Sequence, residues 1–290
     1  MPRSLAPDQC SRIHVLDVDS GEDRILHESS TLLFEAPNWT LDGAALIANA
    51  DGHLFRLDLE GGEPQRIDLG DLAPVNNDHV LDPDGEHVYV SADDGHIHRA
   101  PLTGGTPVRI TQDDGRLHFL HGVSPDGMTL LYTGVQRRAD GSWIPPNLFA
   151  IPSAGGEPTQ LTDDEHPDDG PEHSPDGSWI YFNSERARTG HAQLFRMRPD
   201  ATGIEQLTSD ERVNWFPHLS PDGARLVHIS FPPGTQGHPE DLPVILRLSA
   251  PDGTGLRNLV HLDGGQGTIN VNSWAPDSRR LAYVDYPIGA

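Results

Sequence analysis

The sequence of 290 residues predicts an all-β fold, a six-bladed β-propeller with four antiparallel strands in each blade. Three observations predict it. One turn motif recurs six times along the chain, a short apolar or β-branched run follows each copy, and the two ends of the chain complement each other as halves of one unit. Repeats of about 40 to 50 residues that hold four short strands are typical of propeller blades.

The recurring motif is built around the turn sequence Pro-Asp-Gly. Proline fixes φ, aspartate bonds the nearby backbone, and glycine accepts a positive φ. The copies are Trp39-Thr-Leu-Asp-Gly43, Leu81-Asp-Pro-Asp-Gly85, Val123-Ser-Pro-Asp-Gly127, His173-Ser-Pro-Asp-Gly177, Leu219-Ser-Pro-Asp-Gly223 and Trp274-Ala-Pro-Asp-Ser278. We call their aspartates the anchor aspartates: Asp42, Asp84, Asp126, Asp176, Asp222 and Asp277, spaced by 42, 42, 50, 46 and 55 residues.

Each unit continues with further strands. The runs that follow the turns are Ala45–Asn49, His87–Ser91, Thr129–Gly134, Trp179–Asn183, Arg225–Ser230 and Arg280–Asp285. A strand with alternating apolar residues comes next, as in Leu54–Leu59. A second turn such as Gly61-Gly62 and a short last strand such as Gln160–Thr162 complete the unit.

The two chain ends predict how the ring closes. Only one strand, Arg280–Tyr286, follows Asp277, whereas the chain begins with two strands that no anchor precedes, Arg12–Asp17 and Asp23–His27. We expect these strands to complete the sixth blade, because closing the ring removes the exposed edges of an open sheet. The predicted domain is single, spans residues 1–290, and begins with an N-terminal tail of residues 1–11.

The composition limits the classes of binding partner that we expect. The formal net charge is −24, and all 20 basic residues are arginines, so the acidic surface is expected to repel nucleic acid and anionic membranes. It is either a solvated surface or a patch for a cationic partner. No apolar run is long enough to span a membrane, the N-terminus has no apolar signal region, and Cys10 is the only cysteine. We therefore expect a cytoplasmic protein, and a monomer.

The repeat Ser/Ala-Pro-Asp-Gly, preceded by Trp or a small apolar residue, resembles that of the TolB-like β-propeller family. The resemblance covers residues 12–286. The repeats are more distantly similar to those of oligogalacturonate lyase, a family whose propeller holds a divalent metal through histidines. The resemblance implies the propeller fold and leaves the function open.

A functional site is expected on one rim of the channel. The first strand of each blade lines the channel, and the long loops all fall on the face where that strand begins: Val135–Asn147, Glu185–Ala192 and Phe231–Pro243. The Pro-Asp-Gly and Gly-Gly turns occupy the other face. Because function tends to lie on loops over a rigid scaffold, the loop-rich rim is the predicted site.

Four residues near the start of the first strands are candidate metal ligands. His79 and His121 lie five residues before their anchors, and Glu172 and His218 lie four before theirs. Imidazole and carboxylate groups suit divalent metals. These residues therefore predict either a site for a divalent ion (Mn, Zn or Ca) or a polar channel filled with water.

Other polar and aromatic residues in the same segments are candidate ligand-binding residues. They are Asn38, Asn76, Asn77, His118, Asp168, Asp169, Asn214, Trp215, Asn270 and Asn272. Asn76, His118, Asp168 and Asn214 share the position eight before the anchor and could ring the mouth around a hydroxylated ligand. Capping of turns by these side chains is the alternative. Trp215 either stacks on a sugar or packs between blades.

These observations leave two functional hypotheses. The first is a TolB-like propeller that binds a small molecule, such as a carbohydrate, or a protein partner at the loop-rich rim. The alternative is a metal-dependent carbohydrate-active enzyme, a lyase or hydrolase, with a histidine-lined channel site. The sequence contains no Gly-x-Ser-x-Gly, Walker A, Rossmann or His-Glu-x-x-His motif. No catalytic residue is therefore assigned, and the question of enzyme activity stays open.

Overall fold

The predicted fold class is confirmed by the computed structural model, which describes residues 3–289. Across these residues, 23 β-strands form six sheets. Residues 1, 2 and 290 of the predicted domain lie outside the described part. Among residues 3–289, no helix has the length and apolar character needed to cross a membrane.

The strands follow one another along the chain with short connections. The first twelve are β1 (Ser11–Asp17), β2 (Asp23–Ser29), β3 (Glu35–Trp39), β4 (Ala45–Ala50), β5 (His53–Asp58), β6 (Gln65–Ile67), β7 (Val75–Leu81), β8 (His87–Ala92), β9 (Ile97–Pro101), β10 (Val108–Arg109), β11 (Arg116–Val123) and β12 (Thr129–Gln136). The others are β13 (Asn147–Pro152), β14 (Thr159–Gln160), β15 (Asp168–His173), β16 (Ile180–Ser184), β17 (Gln193–Met197), β18 (Glu205–Gln206), β19 (Val213–Leu219), β20 (Leu226–Phe231), β21 (Leu242–Ser249), β22 (Arg257–Gly264) and β23 (Arg280–Asp285).

Within the described residues, five sheets have four strands in sequence order, β3–β6, β7–β10, β11–β14, β15–β18 and β19–β22, which we call blades one to five. Their pairing is antiparallel. The first strands β3, β7, β11, β15 and β19 lie next to one another in that order, and β23 lies beside β3. The first strands therefore surround the channel, as the sequence predicts.

The sixth blade combines both ends of the chain in the order β2–β1–β23. Its innermost position is taken by an irregular segment, residues 268–275, that bonds β23 through Ala282 N to Ser273 O (2.9 Å) and Ala275 N to Arg280 O (2.8 Å). Closure by the terminal strands is confirmed. The inner strand of this blade is irregular and forms only an isolated bridge, from Trp274 to Leu281.

Hydrogen bonding explains why the Ser-Pro-Asp-Gly turn recurs. In blade four, Ser174 Oγ donates to Asp176 Oδ1 (2.6 Å), and the same oxygen accepts the Ser178 N–H (3.0 Å). Gly177 follows with φ of 69°. The hydrogen bond from Ser174, with those from Ser178, lowers the pKa of Asp176 to about 2. The anchor aspartates are therefore structural groups that fix the turn.

The terminal strands are joined by a histidine clasp. The ring of His14, on β1, stacks on Tyr283 of β23 with centroids 4.5 Å apart. Its Nδ1 lies 3.2 Å from Asp23 Oδ1 and its Nε2 lies 3.2 Å from Asp285 Oδ1. Burial alone would lower the pKa of His14, but the hydrogen bonds to the two aspartates outweigh it and raise the pKa to about 9.

This clasp predicts a pH-dependent stability of the ring. Because the folded pKa lies above the unfolded value of about 6.5, the clasp stabilises fully below pH 6.5, and its contribution is lost as pH rises through about 9. With solvent screening, we expect His14→Gln to remove about 2 kcal/mol at pH 6 and almost nothing at pH 9.5. Urea unfolding at both pH values measures the difference. The control is His261→Gln at an exposed position, which we expect to change the free energy of unfolding equally at both pH values. If His14→Gln also had the same effect at both pH values, the clasp would be contradicted.

Candidate functional site

The loop-rich mouth of the channel contains a cavity of about 550 Å³, which we call the mouth cavity. Every blade contributes lining residues, from the starts of the first strands, from the loops above them and from the N-terminal tail. The lining residues are Arg3, Glu35, Asn49, Val75, Asn76, Asn77, Asp78, Asp93, Phe119, His121, Thr133, Val135, Pro146, Asp169, Phe216, His238, Glu240, Gln266 and Asn270. A volume of this size is typical of a site for a small molecule.

One register position supplies much of this lining. It lies seven residues before the anchor aspartate, and its occupants in five blades line the mouth cavity: Glu35, Asn77, Phe119, Asp169 and Asn270. In blade five the same position is Trp215, and its neighbour Phe216 lines the cavity instead. Alternation of side chains is not strict here: Asn76 and Asp78, on either side of Asn77, also line the cavity, whereas Asp168, beside Asp169, does not.

Bulges interrupt the first strands directly below this position. The pairing register shifts between Glu35 and Asn38, between Asp169 and Glu172, and between Trp215 and His218. In each case a residue with positive φ precedes a proline, and the three are Ala36 (φ 50°), Gly170 (φ 64°) and Phe216 (φ 55°). Positive φ is strained for residues other than glycine, and such strain is concentrated at functional sites.

An amide and carboxylate network forms one side of the mouth cavity. Asn77 is its centre: its Nδ2 donates to Glu35 Oε1 (3.2 Å), and its Oδ1 accepts from Gln266 Nε2 (3.2 Å) and Asn270 Nδ2 (3.4 Å). Asn49 Nδ2 donates to Glu35 Oε2 (3.0 Å). Burial raises the pKa of Glu35, and the nearby Arg3 and these amides oppose the shift.

The opposite side carries an ion pair between blades three and four. His121 Nε2 lies 3.0 Å from Asp169 Oδ1, and Thr133 Oγ1 donates to the same oxygen (2.7 Å). Burial alone would raise the pKa of Asp169, but the charge and hydrogen bond of His121 lower it to about 2. Burial alone would lower the pKa of His121, but its bond to Asp169 raises it. Both pKa shifts favour the charged forms of the two residues.

Asp78 behaves differently, although it lines the same cavity. It is buried, and burial raises its pKa to about 7, with the charges of Asp169 and Glu35 adding to the rise and that of His121 opposing it. The Asp78 backbone N–H donates to Asn76 Oδ1 (2.9 Å), and the Asn76 side chain is the hydrogen-bonding group that acts on the carboxyl. Asp78 can therefore gain or lose a proton near neutral pH.

A loop and the N-terminal tail cover the cavity from above. His238, in the loop between β20 and β21, lies with its ring centroid 4.5 Å from that of Trp215, and its Nδ1 is hydrogen-bonded to Gln266 Oε1 (2.5 Å). Burial lowers the pKa of His238. Arg3 donates to Gln266 O (2.8 Å) and to Asp241 Oδ1 (2.6 Å).

Two predicted ligand-binding residues and one predicted metal ligand lie deeper in the channel. His79 Nδ1 is hydrogen-bonded to Asn38 Oδ1 (3.2 Å), and Asn38 Nδ2 donates to Asn272 O (2.6 Å). Burial lowers the pKa of His79 to about 3, so its ring is neutral. His79 Nε2 is buried and has no hydrogen-bond partner within the described chain.

The remaining two predicted metal ligands form a pair of their own. His218 Nδ1 lies 2.7 Å from Glu172 Oε2, and His218 Nε2 donates to Ile269 O (2.7 Å). Asn272 Nδ2 donates to the other carboxylate oxygen of Glu172 (2.8 Å). Both nitrogens of His218 are thus occupied by protein acceptors.

The four predicted metal ligands therefore have separate partners. His79 is paired with Asn38, His121 is paired with Asp169, and Glu172 and His218 are paired with each other. In the part of the chain that the structure describes, no three His, Cys, Asp or Glu side chains are arranged to hold a metal ion. This donor set does not fit one shared ion, and the divalent metal stays a prediction of the sequence.

Four of the predicted ligand-binding residues point away from the mouth cavity. His118 Nδ1 bonds Gly95 O (2.7 Å), Asp168 pairs with Arg186 (2.9 Å), and Asn214 Nδ2 donates to Asp210 (3.2 Å). Trp215 belongs to the hydrophobic core between blades. Among the four residues eight before the anchor, only Asn76 lines the cavity.

Sequence reasoning missed several lining residues. Glu35, Phe119 and Asp169 share one register position, so aligning the six repeats seven residues before the anchor would have found the first two along with Asp169. Arg3 and His238 belong to the tail and a loop, where no repeat signal exists.

The comparisons with known proteins agree with this architecture. No protein-family model matches the chain. An uncharacterized protein of Agrobacterium fabrum is 38% identical over 280 residues, which are 95% of this chain and 92% of that protein. The structure named "putative TolB" from Agrobacterium tumefaciens superposes with a TM-score of 0.87 at 38% identity, covering 97% of this chain and 99% of that one.

This chain is also similar in structure, more distantly, to an oligogalacturonate lyase in complex with manganese. The TM-score is 0.60 at 16% identity, and the match covers 90% of this chain and 75% of the lyase. At this identity the likeness shows a shared propeller fold and carries nothing about the chemistry of the channel.

Proposed function

We propose that this chain, which belongs to the TolB-like family of β-propellers, is a binding propeller that holds a small polar molecule in the mouth cavity. Because the propeller fold hosts many functions, the proposal is argued from the chain's own site. The observation that carries the proposal is the convergence of polar side chains from all the blades on one cavity of about 550 Å³. Ligand sites of this kind combine a formed cavity with a few fixed polar groups.

The polar groups are held in place before any ligand arrives. Asn77 joins Glu35, Gln266 and Asn270 through its amide, and Thr133 fixes Asp169 from the neighbouring blade. Such preorganisation favours affinity, because little side-chain freedom is lost on binding.

The cavity also offers apolar surface beside its polar groups. Phe119 and Phe216 line it, and the Phe216 ring lies 5.9 Å from that of His121. Aromatic faces suit the carbon skeleton of a small hydroxylated or aliphatic molecule. A small molecule fits a cavity of this volume and mixed lining better than a protein segment does, and a protein partner becomes an outcome of the test.

The test begins with a screen of polar, metabolite-sized compounds by thermal unfolding, since a ligand that binds only the folded protein raises the melting temperature, and the rise grows with ligand concentration relative to Kd. Hits are then titrated calorimetrically into Asn77→Leu. Leucine leaves Glu35, Gln266 and Asn270 without their shared partner, so we expect affinity to fall by about tenfold or more. The matched control is Asn258→Leu, which alters an exposed asparagine on β22.

Two results would count against the proposal. One is a hit that binds Asn77→Leu as tightly as it binds the wild type, which places it outside the mouth cavity. The other is a screen without hits in which a protein co-purifies with the wild type and not with Asn77→Leu, which favours a protein partner.

A further inference from the structure

The side chain of Arg3 reaches the mouth cavity from the N-terminal tail, and its guanidinium group is held from several sides. Arg3 Nη2 donates to Asp241 Oδ1 (2.6 Å). Arg3 Nη1 donates to Gln266 O (2.8 Å) and lies 3.8 Å from Glu35 Oε1. The Arg3 Cζ lies over the Tyr286 ring, 4.2 Å from its centroid. We call the groups that surround Arg3 the guanidinium seat: the Asp241 and Glu35 carboxylates, Gln266 O and the Tyr286 ring.

Each part of the seat suits a guanidinium group. The planar fork of a guanidinium pairs with carboxylate and carbonyl oxygens, and its charged face stacks on aromatic rings. Asp241 and Glu35 supply the carboxylates, and Tyr286 supplies the ring. Glu35 and Tyr286 are only 6% and 1% exposed, so the surrounding protein fixes their positions. These two members of the seat are therefore in place before a ligand arrives.

The seat opens into the mouth cavity, because Arg3, Glu35 and Gln266 all line that cavity. Removal of the Arg3 side chain would join the seat to the cavity. It would also leave Asp241 and Glu35 without a cationic partner among residues 3–289. The Gln266 side chain donates to Asn77 Oδ1 (3.2 Å), so a ligand held in the seat would also reach the amide network.

The tail that carries Arg3 is lightly held. Between Arg3 and Gln9, residues 4, 6, 7 and 8 are exposed, and no strand includes this segment. Gln9 is attached independently of Arg3: its Nε2 donates to Asp241 Oδ1 (2.8 Å) and to Tyr286 O (3.2 Å), and it forms an isolated bridge with Ile288. Arg3 can therefore leave the seat without unfolding a strand, while the tail stays attached at Gln9.

We propose that the guanidinium seat binds the guanidinium group of a small-molecule ligand, and that Arg3 occupies the seat as a built-in competitor. This inference rests on the proposed function, and it names the ligand class and the regulation of the same cavity. A tethered group competes at an effective concentration of about a millimolar, so it excludes weak ligands and yields to tight ones.

The experiment is calorimetric titration of Arg3→Ala and the wild type with agmatine and L-arginine, two small guanidinium compounds. Alanine empties the seat and removes the competitor. We expect agmatine or L-arginine to bind Arg3→Ala at least about tenfold more tightly than the wild type. The matched control is Arg66→Ala, which removes an exposed arginine on β6 and should leave the affinity of the wild type unchanged. Equal affinity of Arg3→Ala and the wild type overturns the competition.

Two further probes test the chemistry of the seat. L-Citrulline has nearly the shape of L-arginine without its charge, and L-lysine has an ammonium group in place of the guanidinium. We expect both to bind Arg3→Ala at least about tenfold more weakly than L-arginine, because neither supplies a charged planar fork. If L-citrulline or L-lysine binds as tightly as L-arginine, the guanidinium assignment is wrong.

A second variant locates the bound guanidinium. Asp241→Asn, made on the Arg3→Ala background, removes one carboxylate of the seat, and asparagine tolerates the positive φ of 56° at this position. We expect guanidinium binding to weaken about tenfold or more, whereas Asp71→Asn, at an exposed turn, has no effect on the same background. Unchanged binding places the ligand outside the seat. If Asp241→Asn does not fold, the comparison of Arg3→Ala with the wild type still decides.

Failure of this inference differs from failure of the proposed function. If neither guanidinium compound binds Arg3→Ala, while hits of another class bind the wild type and are weakened by Asn77→Leu, the seat assignment is overturned and the cavity stays a ligand site. If acetyl-Gly-Arg-Gly-amide binds Arg3→Ala at least about tenfold more tightly than agmatine, the seat serves an arginine of a protein partner, and the small-molecule ligand is overturned. No ligand of any class overturns both proposals.

Discussion

Replacing Ile13 by Ala lowers the free energy of unfolding by about 2 to 5 kcal/mol, the range measured for removal of a fully buried aliphatic side chain. Ile13 is fully buried on β1, where its backbone pairs with His27 of β2 and Val284 of β23. Its side chain packs in the core cluster that includes Phe34 and Trp39 of blade one. The truncation therefore opens a cavity where the ring closes.

The matched control lies on the next strand of the same blade. Ile25 on β2 is 49% exposed, so Ile25→Ala removes the same atoms from a site that water already reaches. We expect a change of about 0.5 kcal/mol or less. Urea unfolding, followed by tryptophan fluorescence and circular dichroism, measures both variants. Equal effects of the two substitutions would show that β1 does not hold the ring closed.

The strands were predictable because their signals are local. The turn around Asp176 is specified by Ser174 and Gly177 alone, and the run that follows each anchor forms a strand without help from distant residues. The predicted strand Arg280–Asp285 has those bounds in the structure, and the first strand is longer by one residue, Ser11.

The lining of the cavity was harder to predict, because a shift of one residue turns a side chain to the other face of a strand. The sequence shows that polar residues cluster before each anchor, but it does not show which of two adjacent residues faces the channel. Asp168 and Asp169 illustrate this: Asp168 pairs with Arg186 of the same blade, whereas Asp169 lines the cavity.

Bulges add a second difficulty. At Gly170 and Phe216 a residue with positive φ precedes a proline and shifts the register of the strand below. Pairing beyond the bulge then no longer follows simple alternation. Residues outside the repeat, such as Arg3 and His238, have no periodic signal at all, and only the packing of the tail and loop brings them to the mouth.

Gly267→Ala is expected to damage both the fold and the site. Gly267 has φ of 90°, and a Cβ there would lie 2.4 Å from Tyr286 Oη and 2.6 Å from Glu35 Oε1. Its N–H donates to Asn270 Oδ1 (2.7 Å), and its carbonyl accepts from Ala36 N (2.7 Å), so the segment cannot simply move outward. Backbone strain and overpacking together predict a loss of about 2 to 4 kcal/mol in the free energy of unfolding.

The same substitution reaches the ligand through Glu35, whose carboxylate orients Asn49 and Asn77. Displacing it should weaken any ligand of the mouth cavity about tenfold or more. Gly237→Ala is the control: Gly237 also has positive φ, 63°, but a Cβ there meets nothing within 4 Å, so only the backbone strain of about 1 kcal/mol applies. If the two variants had the same free energy of unfolding and the same ligand affinity, Glu35 and Tyr286 would have to move aside without strain. The cavity wall would then be less rigid than its hydrogen bonds indicate.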